Sequence, residues 1–235
     1  MLIKHPYVAM AETENGHFIM KEKYSQGWPF YRSEMALSMA DQITMEKSPL
    51  YWPVNEAPRR IYEYNPDVKL ILVVRDPACR IGSDFFFGQI IGYVPKNLTF
   101  EECMLDRNNK EMRDFLGHPS IYDKIMKRWL QYFPLENFKI IKNEDMLSMT
   151  VKNVLQDLEN FLGIPHGVDV VRGKGREICI TQEISVRNVC FNETSEEDFP
   201  CKYYRKYPEI MKGLRKRYMP HARLFYKLVG RDFNW

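Results

Sequence analysis

Short continuous apolar runs and longer stretches with helical spacing divide this chain into predicted strands and helices. Leu70-Ile71-Leu72-Val73-Val74 is a β-branched run of strand length, the pattern of a strand buried on both faces of a parallel sheet. Arg75-Asp76-Pro77 follows at once. Asp76 suits a helix N-cap and Pro77 the first helical position, so a helix is predicted to open there. Phe138 to Lys142 predicts a second buried strand, and Gln42 to Glu46 a short one.

Helical spacing marks the other elements. One helix runs over residues 55–64 and stops before Pro66. Thr99-Phe100-Glu101-Glu102 is a capping box that opens another. Ser120 is expected to cap a helix with Ile121, Ile125, Trp129 and Phe133 on one face. A further helix starts at Thr150, carries Val151, Val154, Leu155, Leu158, Phe161 and Leu162 on one face, and ends at Gly163 and Pro165. Residues 208–228 read as a helix interrupted at Pro220. Gly27 to Tyr31 reads as a loop with aromatic anchors, with Ser33 capping a short helix through Met39. Gly173 to Pro208 has no clean period and reads as a long loop or ragged hairpin. With no repeat, low-complexity tract or linker, residues 1–235 are expected to form one domain.

The 235 residues suffice for one α/β domain, and 45% apolar with 28% charged residues exclude a disordered chain. A net charge of only +3 selects no partner by itself and leaves that to local basic clusters. No run reaches transmembrane length, and the first residues lack a signal-peptide core. Against that cytosolic reading stand two N-glycosylation sequons, Asn97-Leu98-Thr99 and Asn192-Glu193-Thr194. Three of the five cysteines, Cys179, Cys190 and Cys201, crowd one late segment. Their spacing is too loose for a metal site and favours a local disulfide.

The carboxyl end of a central strand is where open α/β sheets bind ligands, and Arg75 stands there. Ser83, two turns into the following helix, can face the same anion, so a guanidinium and a hydroxyl form a candidate phosphate clamp. Arg-Asp-Pro-x-x-Arg-x-x-Ser after a buried strand resembles the 3′-phosphate-binding element of sulfotransferases. Those enzymes use 3′-phosphoadenosine 5′-phosphosulfate (PAPS).

Other stretches resemble one branch, the heparan sulfate glucosamine 3-O-sulfotransferases. They are Gln42-Ile43-Thr44-Met45-Glu46-Lys47-Ser48-Pro49-Leu50-Tyr51, Ala57-Pro58-Arg59-Arg60-Ile61-Tyr62, Trp129-Leu130-Gln131-Tyr132-Phe133-Pro134-Leu135 and the C-terminal Gly230-Arg231-Asp232-Phe233-Asn234-Trp235. The resemblance implies an α/β, P-loop-like three-layer sulfotransferase fold with a central parallel sheet, lacking its first strand and phosphosulfate loop. It implies PAPS as co-substrate, heparan sulfate or a related glycosaminoglycan as partner, and the Golgi lumen as compartment, with the membrane anchor outside this chain. Nucleic acid and metal are not expected.

Site residues follow from the same resemblance. Glu14 aligns with the general base, with Glu12 competing, and one extra residue precedes His17, which is expected to orient the acceptor or Glu14. Lys47 aligns with the lysine that stabilises the leaving oxygen. Arg75, Ser83, Lys174 and Gly175 are assigned to the nucleotide. Arg59, Arg60 and Gln89 are assigned to the sugar chain, Gln89 as a shifted substitute for a glutamine that here reads Phe87. Cys179 and Cys190 are expected to pair, as the family's late cysteines do, leaving Cys201 and Cys79 free. Glu196-Glu197-Asp198 stand where a cationic segment is expected. Two other readings remain open. One is a sulfotransferase with another acceptor. The other is a non-catalytic relative that binds sulfated glycan through Lys202, Arg205, Lys206, Lys212, Arg215, Lys216 and Arg217.

Overall fold

In this computed structural model the described residues are 2, 5–11, 13–181, 189–193 and 201–235. In chain order the elements are β1 (Val8–Met10), α1 (Lys21–Tyr24), α2 (Gly27–Glu34), β2 (Ile43–Met45), α3 (Ala57–Tyr64), β3 (Leu70–Val74), α4 (Pro77–Ile91), α5 (Phe100–Leu105), α6 (Lys110–Gly117), α7 (Tyr122–Trp129), β4 (Phe138–Lys142), α8 (Val151–Leu162), β5 (Asp169–Arg172), β6 (Glu177–Thr181), β7 (Val189–Asn192), α9 (Tyr203–Lys206) and α10 (Pro208–Val229). They divide into two compact units, residues 1–73 with 132–194 and residues 74–131 with 195–235.

In the first unit β1 and β2 pair in parallel, Val8 opposite Ile43 and Met10 opposite Met45. The Gln42 amide donates to the Pro6 carbonyl at 2.8 Å and fixes that register from outside the ladder. β3 pairs with β4, and the Asn137 amide steadies the entry to β3 by donating to the Val68 carbonyl at 3.2 Å. β3 was expected to be buried on both faces. Only Val74 is; Leu70 to Leu72 are half-buried and Val73 is exposed. The reason is that β4 is its one partner among the described residues.

The late segment without clean periodicity folds into an antiparallel sheet, β5-β6-β7. Its order comes from alternate residues: Val170, Ile178 and Ile180 point inward and pack on Val151 and Leu155 of α8. Cys179 and Cys190 are directly opposed across β6 and β7, 4.1 Å apart at Cα, and form a disulfide. Such a short-loop bridge typically contributes about 2–4 kcal/mol. α8 ends as its sequence predicts, on Gly163 in the left-handed region.

A buried ionic cluster ties the start of the chain to α8. Glu159 accepts from His5 Nε2 and from the Gly167 N–H, each at 2.9 Å, and from His166 Nδ1 at 2.6 Å. The His5 and Glu159 side chains are both 0% exposed. Burial pushes the Glu159 carboxyl up, but the His166, Gly167 and His5 hydrogen bonds outweigh it and leave the pKa below the ordinary 4.5. A depressed folded-state pKa means stability that is present above pH 4.5 and lost as pH falls through the folded value. Glu159→Ala, which leaves His5 buried without its partner, is expected to destabilise by about 3–5 kcal/mol. Chemical denaturation at neutral pH measures this, and a loss under about 1 kcal/mol would show the cluster to be unimportant.

The second unit is helical. Asp76 caps α4 by accepting from the Cys79 N–H at 2.9 Å, and Thr99 and Glu102 form the expected capping box on α5. Phe85, Phe100, Leu116, Met211, Leu214 and Tyr218 build its core. α10 runs unbroken through Pro220, contrary to the interruption expected there. Proline removes one N–H and crowds the preceding turn, at about 3 kcal/mol. Met219 and Ala222 on either side are buried, as are Tyr218 and Phe225, and their burial offsets that cost. Ser120 does not cap α7. Its hydroxyl faces inward, donates to the Pro77 carbonyl at 3.3 Å and accepts from Arg80 Nε at 2.6 Å.

Two cysteines expected to be free are not. Cys79 and Cys201 form a second disulfide across 122 residues. The free thiol is the buried Cys103, whose pKa burial pushes up to about 11. Spacing along the chain carried no trace of this pairing, because α4 and α9 meet only on folding.

Candidate active site

In the first unit the chain leaves β1 into a loop that turns at Asn15-Gly16. Gly16 has φ +68, a conformation that costs a side-chain-bearing residue strain, and its carbonyl accepts from the Ile19 and Met20 N–H groups at 3.2 and 3.1 Å. This turn lies between Glu14 and His17. Glu14 is thereby set on the exposed side of the loop and His17 on the buried side.

Glu14 and Lys47 meet. Lys47 Nζ donates to Glu14 Oε1, with side chains 60% and 44% exposed respectively. Thirty-three residues separate them in sequence. The carboxylate predicted to accept a proton and the ammonium predicted to steady a leaving oxygen thus share one solvent-open spot.

His17 lies elsewhere. It is 0% exposed, in a cage of Phe18, Tyr24, Phe30, Tyr31 and Tyr64 rings whose centroids lie 5.0 to 6.2 Å away. Nε2 hydrogen-bonds the Tyr64 hydroxyl at 3.0 Å. Burial lowers its pKa below 6.5, with Lys23 and Arg60 acting the same way against Glu34. Of the two roles expected of His17, orienting the acceptor or orienting Glu14, its burial beneath the Glu14 loop suits the second. The stretch expected to be a loop, Gly27 to Tyr31, is the first part of helix α2, and its Phe30 and Tyr31 help to make the cage. Glu46, next to Lys47, is held by the Tyr31 and Tyr51 hydroxyls at 2.7 and 3.0 Å. Burial raises its pKa although both phenols pull the other way.

Both arginines of α3 have structural duties. Arg59 pairs with Glu63 one turn on, and Glu63 also takes the Tyr24 hydroxyl. Arg60 donates to the Phe18 carbonyl at 3.1 Å and lies 4.7 Å over the Tyr24 ring. Arg59, 46% exposed at its side chain, keeps a face toward solvent. Lys174 and Gly175 form the turn between β5 and β6, where the Gly173 N–H donates to the Glu177 carbonyl at 3.0 Å and Gly175 adopts φ +63. Glu12 lies outside the described residues, as does Glu196-Glu197-Asp198.

In the second unit Arg75 follows β3 directly. The Tyr122 hydroxyl donates to its carbonyl at 2.8 Å and pins the backbone. Arg75 Nε is buried with no hydrogen-bond partner among the described residues. Burial raises the pKa of the Tyr203 phenol, and the Arg75 charge and Ser83 pull it the other way. Arg75 and Ser83 thus share the neighbourhood of one phenol. Arg80 has other work, bonded to Ser120, to the Leu116 carbonyl and to Asp84. Gln89, assigned to the sugar chain, has its amide N–H engaged within the fold. Its amide donates to the Pro95 and Leu98 carbonyls at 3.1 and 2.8 Å and closes the turn beyond α4, which occupies its donor.

Sequence reasoning missed Tyr203 and Tyr204, and it gave Arg215 a place only in a glycan-binding face. The Tyr204 hydroxyl and Arg215 both bond Asp76 Oδ2 at 3.3 Å, locking the cap of α4. Arg215 and Arg217 were part of the predicted glycan-binding face; Arg217 pairs with Asp114 at 3.1 Å. The overlooked signal was Cys201, two residues before Tyr203.

Comparison with known proteins bears on this arrangement. Residues 6–222 match the sulfotransferase domain family. Heparan sulfate glucosamine 3-O-sulfotransferase 5 of Homo sapiens is 34% identical over 248 residues, taking in 100% of this chain and 68% of that protein. The chain belongs to this sulfotransferase family. Heparan sulfate glucosamine 3-O-sulfotransferase 3B1 of Homo sapiens is 31% identical over 239 residues, with 98% of this chain and 59% of the relative covered. The sulfotransferase from Alicyclobacillus acidocaldarius superposes with a TM-score of 0.65 at 16% identity, over 99% of this chain and 89% of that one, so the two share a fold. A sulfotransferase works with a sulfonate donor, and the α/β architecture here is that of the family.

Proposed function

We propose that this chain transfers a sulfuryl group from PAPS to the 3-hydroxyl of glucosamine in heparan sulfate. The observation that carries this reading is the Glu14–Lys47 contact, an acid–base pair assembled from distant segments on an exposed surface. Glu14 takes the proton of the sugar hydroxyl as its oxygen bonds to sulfur. Lys47 neutralises charge on the bridging oxygen as the sulfur–oxygen bond to the 5′-phosphate breaks. Arg75 and Ser83 bind the 3′-phosphate, and the buried, unpartnered Nε of Arg75 fits that anion. Lys174 and Gly175 are further nucleotide contacts in this reading, and exposed Arg59 meets the acidic chain.

The relatives' names carry heparan sulfate as acceptor, and the Golgi lumen is the place of work in this reading. No described helix is long and apolar enough to cross a membrane. The test is incubation with PAPS and heparan sulfate, followed by disaccharide analysis for 3-O-sulfated glucosamine. Appearance of that product is expected. Nucleotide binding without transfer to any glycan would replace this reading with a non-catalytic one.

A further inference from the structure

Tyr203 stands out in the second unit. Its ring lies so close over Gly82 that a Cβ there would come within 2.7 Å of it. On its other side it stacks on Phe86, with centroids 5.2 Å apart and planes 14° off parallel. Two residues earlier, Cys201 is bonded to Cys79. Cys79 is four residues from Arg75 and four from Ser83, so the bridge attaches α9 to the stretch that carries the clamp. Tyr203 is 8% exposed and lies over Gly82, the neighbour of Ser83, with the Arg75 charge acting on its phenol.

We propose that Tyr203 is a specificity-determining residue that reads the 3′-phosphate of the nucleotide, and that the Cys79–Cys201 disulfide holds it in position. The proposal rests on the nucleotide reading of Arg75 and Ser83 given above. The phenol carries one O–H donor, and a dianionic phosphate accepts it. Burial keeps the phenol protonated, raising its pKa against the pull of Arg75 and Ser83, so it remains a donor at neutral pH. With the unpartnered Arg75 Nε the cluster offers a cation and a hydroxyl donor to one anion. A nucleotide without the 3′-phosphate would leave these groups unmatched, which is how a buried polar site discriminates.

Calorimetric titration of 3′-phosphoadenosine 5′-phosphate and of adenosine 5′-phosphate, into wild type and Tyr203→Phe, tests this. The phenylalanine keeps the stack on Phe86. Affinity for the 3′-phosphorylated nucleotide is expected to fall about ten-fold, with adenosine 5′-phosphate unchanged. Equal losses for both ligands would reduce Tyr203 to packing. No loss would remove it from the site. Tighter binding would mean that the phenol obstructs the phosphate. Any of these overturns the proposal, whereas a wild type that binds neither nucleotide overturns the nucleotide reading itself. The paired change Cys79→Ser with Cys201→Ser is expected to erode the same ligand preference, and Cys190→Ser is not. If the paired variant fails to fold by circular dichroism, Tyr203→Phe alone decides.

Discussion

Glu14→Gln is expected to lower sulfate transfer by about 10²–10⁴-fold while nucleotide affinity stays nearly unchanged. The amide keeps the shape of the side chain and its contact with Lys47 but has no basicity at neutral pH. Both partners are well exposed, at 60% and 44%, and exposed ion pairs contribute only about 0–1 kcal/mol to stability. Loss of fold therefore cannot account for a drop of this size. Initial rates with heparan sulfate and PAPS, alongside calorimetric nucleotide binding, give the two numbers required. Glu12→Gln is the companion measurement. If Glu12→Gln abolishes transfer and Glu14→Gln does not, the base lies two residues earlier. If both variants keep full rate, the base is not in this loop.

Arg75→Ala is expected to weaken binding of 3′-phosphoadenosine 5′-phosphate by about ten- to a hundred-fold. A hydrogen bond to a charged group contributes roughly 1.5–3 kcal/mol, and each 1.4 kcal/mol is about ten-fold in affinity. Alanine removes the only charge of the clamp but leaves the backbone hydrogen bond from Tyr122, which uses the Arg75 carbonyl. The turn into α4 should survive, because Asp76 still caps it. Titration calorimetry against the nucleotide measures the effect, and an unchanged dissociation constant would remove Arg75 from the nucleotide site. Arg75→Lys gives a finer reading. A lysine restores charge without the planar fork, so partial recovery is expected if geometry as well as charge matters.

Elements whose cause is local were legible in the chain. Asp76-Pro77 opens α4, Thr99 and Glu102 box the start of α5, and Gly163 ends α8. Each is a contact among residues within one or two turns, and the side chains that make it are adjacent in the sequence. The same holds for the apolar run of β3, whose length and β-branching specify a strand wherever it packs. The chemistry of the candidate site was legible in the same way, as residue types: a carboxylate, a lysine after a strand, an arginine at a strand's end.

Tertiary structure decided which of these groups meet. Glu14 reaches Lys47 only because β1 and β2 pair in parallel and bring their ends together. His17 became a cage residue because α2 formed where a loop was expected and supplied Phe30 and Tyr31. α10 continued through Pro220 because burial of its neighbours outweighs a local helix-breaking preference. Cys79 found Cys201, and Tyr203 found Ser83, across more than a hundred positions. Local propensities act over a few residues and are written where they act. Partner choice depends on the packing energy of whole elements, which is summed only when the core closes.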